Sequence, residues 1–173
     1  DLTTWNSGTG VNINYGQACW WNSYNNKFYG GGDQNGTNTV QYSTDGKSWT
    51  NINSGGYDYG CFGLHNNGNI MLAGGGFNPK VLLSTDGSNF SSAGQTGFQD
   101  NDVQDFAYND TIGLWVSIGR SGNPQQTVKW SSDASNWQNP TTFAGMQIGG
   151  ILHGVNTATS GGGISTIQFQ STF

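Results

Sequence analysis

The sequence predicts an all-β fold of short antiparallel strands, on three observations. Aromatic residues make up 13% of the 173 positions, while charged residues make up only 9%. Asn, Ser and Thr, together with 29 glycines, occupy nearly half of the chain. A short motif recurs three times at long, similar intervals. Runs of Ala, Leu, Glu and Lys, which helical bundles require, are absent, and there is no glutamate at all. Disordered chains are poor in aromatics and rich in charge, the reverse of this composition. What remains is a core of Trp, Tyr and Phe with turns of Gly and Asn. The length suits one domain, residues 1–173.

The recurring motif sets the order of the elements. Val40-Gln-Tyr-Ser-Thr-Asp-Gly-Lys-Ser-Trp49, Val81-Leu-Leu-Ser-Thr-Asp-Gly-Ser-Asn-Phe90 and Val128-Lys-Trp-Ser-Ser-Asp-Ala-Ser-Asn-Trp137 align without gaps. Each is a strand-like run, then Ser-x-Asp, then an aromatic four residues past the Asp. Asp45, Asp86 and Asp133 are spaced by 41 and 47 residues. Upstream of each copy stands a hydrophobic run ending in glycine: Lys27–Gly32, Asn69–Gly74 and Leu114–Gly119. Further upstream come Ala18–Trp21, Cys61–Leu64 and Asp105–Tyr108. Each unit therefore reads as four short strands, and four strands at this period is the pattern of a β-propeller blade. The units span about 15–54, 57–95, 103–142 and 148–173, the last joined by residues 1–8.

The two ends read as halves of one unit. Asp1 and Trp5 match the Asp-to-aromatic half of the motif, and Thr166–Thr172 matches the strand before it. The sequence thus predicts four four-stranded blades, the last completed by the N-terminal strand of the same or a neighbouring chain. Three arrangements satisfy this: a closed ring of one chain, an eight-bladed ring of two, or an open filament.

The three Ser-x-Asp-Gly-x-x-Trp segments resemble the Asp-box, or BNR repeat, of sialidases and related β-propellers, over nearly the whole chain. The resemblance implies that Asp1, Asp45, Asp86 and Asp133 are structural, accepting hydrogen bonds from turn N–H groups. It implies that Ser43, Ser84 and Ser131 fix the turns, while Trp5, Trp49, Phe90 and Trp137 pack between blades. The turns would lie on the face away from the ligand site. This chain departs from the family in a spacing one residue shorter than the fuller motif, and in Ala134 at a glycine position.

Those departures extend to chemistry. The family's sialidases hold the substrate carboxylate with three arginines and use a Tyr/Glu pair; this chain has one arginine, Arg120, and no glutamate. A non-catalytic protein is expected, serving as a self-assembling surface component or a glycan-binding module. The loops opposite the Asp-box turns carry aromatics beside Asp and Arg: Tyr15, Tyr57, Asp58, Tyr59, Asp102, Asp105 and Arg120. Such rings stack on sugar faces, and carboxylates hydrogen-bond sugar hydroxyls. The alternative is a glycoside hydrolase pairing Asp58 with Asp102 or Asp105 as acid and base.

Net charge is −5, and the five basic residues are scattered, which disfavours nucleic acid. No run approaches the ~18 apolar residues of a membrane span. No signal peptide stands at the start. The low charge and small polar residues suggest an extracellular or cell-surface setting. There, Asn35, Asn89 and Asn109 head sequons for N-glycosylation, and Cys19 and Cys61, one repeat apart, either form a disulfide or stay as thiols. His65 and His153 are isolated and no Cys-x-x-Cys occurs, so neither metal nor cofactor is expected.

Overall fold

A computed structural model of the chain describes residues 4, 6–33, 40–52, 59–76, 81–93, 98, 102–120 and 128–140. Eleven strands and no helix lie among them. The strands form three successive antiparallel meanders. The first contains β1 (Tyr15–Asn22), β2 (Lys27–Asp33), β3 (Val40–Ser43) and β4 (Thr50–Ile52), paired in chain order. The second contains β5 (Tyr59–Asn66), β6 (Met71–Gly76), β7 (Val81–Ser84) and β8 (Ser91–Ser92). The third contains β9 (Asp102–Asn109), β10 (Leu114–Arg120) and β11 (Val128–Ser131), followed by a single bridge between Trp130 and Gln138 where a fourth strand is expected. One pair, Gly76 with Asp102, joins the second and third meanders into a continuous sheet.

Pairing fixes which residues are equivalent. Ser43, Ser84 and Ser131 stand opposite Phe28, Met71 and Trp115. Those three stand opposite Trp21, Asn66 and Tyr108. Because side chains alternate between faces along a strand, each meander has two distinct faces. Tyr29, Val40 and Ile52 of the first meander cluster with Cys61, Leu64, Met71, Ala73, Leu82 and Phe90 of the second. Leu72 and Val81, on the opposite face of the second, cluster with Val103, Phe106, Trp115 and Ala134 of the third. The same face of one meander thus covers the same opposite face of the next, twice in succession. β1 packs beside β5, and β5 beside β9.

Glycines set how closely these faces meet. A Cβ on Gly31 would lie 2.7 Å from Cys61 Sγ, and one on Gly63 would lie 2.7 Å from the Asp105 Cα. Both are far inside contact distance, so the glycines admit the neighbouring strand. A buried hydrogen bond crosses the same seam: the Tyr29 hydroxyl donates to the Gly87 carbonyl (3.0 Å), and it accepts from Asn25 Nδ2 of its own meander (2.8 Å).

The register corrects the pairing considered for the cysteines. Cys19 is level with Leu64 and Phe106, two residues before Trp21, Asn66 and Tyr108, and not with Cys61. Ala18 and Trp20 face the cluster that holds Cys61, so Cys19 between them points to the other side of the sheet. The thickness of the first sheet separates the two sulfurs. Both are free thiols, Cys19 exposed and Cys61 buried. Burial pushes the Cys61 thiol up to about 12.

Candidate functional site

The two ends of the meanders differ in kind. The strands run so that β3, β7 and β11 all finish at one end, where the three Ser-x-Asp turns follow. At each turn the Ser hydroxyl donates to the Asp Oδ1, at 2.9 Å for Ser43–Asp45 and 3.0 Å for Ser84–Asp86 and Ser131–Asp133. The aspartate then accepts from backbone N–H groups two and three residues on. Asp45 takes Lys47 and Ser48, Asp86 takes Ser88 and Asn89, and Asp133 takes Ser135 and Asn136, all within 2.9 Å. Asn89 and Asn136 add a side-chain donor to the second carboxylate oxygen. Each carboxylate accepts at least three hydrogen bonds and is held well below the usual carboxylate range. The largest cause is the backbone N–H of Ser48, Asn89 or Asn136 respectively. A group so tied is no general acid.

The turn needs a left-handed residue after the Asp, and Gly46 and Gly87 supply it with φ of 72° and 68°. Ala134 adopts the same conformation, φ 63°. The departure from glycine therefore leaves the turn intact at a strain of about 1–2 kcal/mol. Its buried methyl, in the cluster between the second and third meanders, offsets about 0.8 kcal/mol of that. Phe90 is buried in the seam between the first and second meanders. Trp137 packs against the next seam, 5.8 Å from the Phe106 ring, and Trp49 covers Gly30 and Gly8. Asp1 and Trp5 lie outside the described residues.

A second repeated device escaped the sequence reading. Asn22, Asn67 and Asn109 occupy equivalent positions at the turns following β1, β5 and β9. Each side-chain oxygen accepts from the N–H two residues on, at 3.0, 3.1 and 2.9 Å. These are Asx turns. The signal was present at all three turns but hidden among 21 asparagines. It also assigns Asn109 a structural contact. Asn89 is exposed with its amide on Asp86, and Asn35 lies outside the described residues.

The opposite end gathers most of the proposed ligand residues that are described. Tyr15 opens β1 opposite Asp33 at the end of β2. Tyr59 opens β5 opposite Gly76; Gly76 pairs with Asp102, which opens β9 opposite Arg120. The backbone therefore sets Tyr59, Gly76, Asp102 and Arg120 in one row. The Tyr15 side chain is 70% exposed there. Asp105 does not join them: it is half-buried three residues along β9, against Gly63 of β5, and its Oδ1 accepts from the Phe106 N–H. Tyr57 and Asp58 lie outside the described residues. Among the described residues no three His, Cys, Asp or Glu side chains are grouped to hold a metal ion. No helix among them is long and apolar enough to cross a membrane.

His65 lies between the units. Its ring is 5.4 Å from Trp20 of the first meander and stands edge-on 5.8 Å from Trp115 of the third. Burial lowers its pKa, opposed by Asp110.

No known family profile matches the chain, and no curated protein matches it. Among solved structures it is similar to the computationally designed Ika8 protein, at 14% identity and a TM-score of 0.46. The match covers 66% of this chain and 32% of the designed one, so the chain spans about a third of that protein's length.

Proposed function

We propose that the chain is a non-catalytic, extracellular β-propeller module of the Asp-box kind, which binds glycans at the end opposite its Ser-x-Asp turns. One observation carries this reading: the two ends are segregated. One is closed by hydrogen-bonded aspartate turns, and the other collects the exposed Tyr15 with the strand ends bearing Asp33, Tyr59, Asp102 and Arg120. Meanders of three or four strands stacked in chain order with their first strands adjacent are consistent with blades. An exposed aromatic on a rigid sheet end suits the apolar face of a sugar ring. Catalysis is disfavoured because glutamate is absent, arginine is single and Asp105 sits in a strand seam. The test is glycan-array binding by the folded chain. Binding to at least one glycan, weakened about tenfold in Tyr15→Ala, is expected; a folded protein that binds none overturns the reading.

A second reading, a self-assembling surface scaffold, is favoured by a different observation. On the face of the first meander that corresponds to the covered faces of the second and third, Cys19 and Trp21 are exposed.

A further inference from the structure

We infer that the ligand end carries two equivalent aromatic positions on adjacent strands, Tyr15 and Tyr59, and takes a linear oligosaccharide lying across the first and second meanders. A single terminal sugar would meet only one of the two. The inference deepens the glycan reading and rests on it.

Register places the two tyrosines. Phe28, Met71 and Trp115 are equivalent through their pairing with Ser43, Ser84 and Ser131. Five residues further along β2, β6 and β10 stand Asp33, Gly76 and Arg120, where these strands end. Their partners are Tyr15, Tyr59 and Asp102, which open β1, β5 and β9. Close inside each of these positions the first strand carries a β-bulge: between Gly16 and Ala18, between Tyr59 and Cys61, and between Val103 and Asp105. Bulges bend a strand and re-aim its side chains, and they recur beside ligand sites. The end away from the Ser-x-Asp turns is thus reshaped in the same way three times.

The fold does not demand tyrosine at this register. The third unit forms the same pair with Asp102 and Arg120, and Tyr15 is 70% exposed, so its ring adds little to the core. Tyrosine opening the first strand of two successive units is what a repeated ligand contact requires. β1 packs beside β5, and sheets stacked face to face lie about 10 Å apart. That span is wider than one pyranose ring, so a ligand that stacks at both positions has at least two rings in a row. The third unit brings Asp102 and Arg120 to the same two positions, residue types suited to sugar hydroxyls. The aromatic positions therefore span two units, and the gain from ligand length should end at two or three rings.

Titration calorimetry on the full chain, with β-glucan, chitin, mannan and xylan ladders of one to six rings, tests this. The expected result is one ladder that binds about tenfold tighter at three rings than at one, with little gain beyond. Tyr15→Ala and Tyr59→Ala should each cancel that gain, and Tyr59→Phe, which keeps the ring, should retain it. Equal affinity for one ring and three overturns the inference and leaves the glycan reading standing. So does array binding without binding to any ladder. A length gain that survives Tyr15→Ala, a substitution at an exposed site, overturns it too, as does one that survives in a folded Tyr59→Ala chain. No binding to any ladder or to the array removes the glycan reading and this inference together.

Discussion

Trp115→Ala is expected to remove about 3–5 kcal/mol of stability, read as a lower urea midpoint with the slope unchanged. The residue is 1% exposed, with its ring 4.8 Å from Tyr108 and 5.8 Å from His65. It therefore belongs to the third meander while packing on the second. Its loss opens a cavity in the seam, and the surrounding strands are too constrained by their pairing to collapse into it. The equivalent substitution on the uncovered face, Phe28→Ala, removes a ring that stacks mainly on exposed Trp21 and should cost clearly less. Equal losses at the two sites would contradict the assignment of one face as covered and the other as open.

Acid destabilisation is the second large effect, and it should come in two stages. His65 has a folded pKa depressed by burial. Its contribution is fully present above the ordinary histidine value near 6.5 and is lost as the pH falls below it. Asp45, Asp86 and Asp133 are also depressed, by turn N–H donors. Their contribution is present above the ordinary carboxylate value near 4 and is lost as the pH falls further, toward their folded values. The urea midpoint should therefore decline from about pH 6.5 and fall more steeply below about pH 4. His65→Gln should abolish the first stage and keep the second. A midpoint flat from pH 7 to 5 in the parent chain would remove His65 from the account.

Much of the fold was legible because it is local. Ser43-x-Asp45 and its two counterparts close turns through contacts at most three residues apart. Three copies in register therefore announce both the turns and the strands that flank them. The all-β class followed from the same copies. The cysteine register was not legible, because the repeat is uneven: Ser43 and Ser84 are 41 residues apart, whereas the equivalent pair Trp21 and Asn66 are 45 apart. A separation of 42 residues therefore reads as one repeat, although Cys19 is level with Leu64. The seam glycines were equally silent: Gly31 and Gly63 fall inside strand-like runs, and nothing in the sequence marks them as the places that admit a neighbouring strand. At the ligand end, the sequence named Asp105 with its neighbours because one-dimensional proximity cannot tell a strand's end from its interior. Tyr15 and Asp102 open their strands, whereas Asp105 lies inside β9.

The central claim is that the same sheet faces stack in sequence, with Cys61 buried inside a seam and Cys19 exposed on the other face of the first meander. The rate of reaction of the native chain with Ellman's reagent tests it most directly. The account predicts one fast thiol per chain, Cys19, and a second, Cys61, that reacts only on unfolding. Two fast thiols, or none, would contradict it.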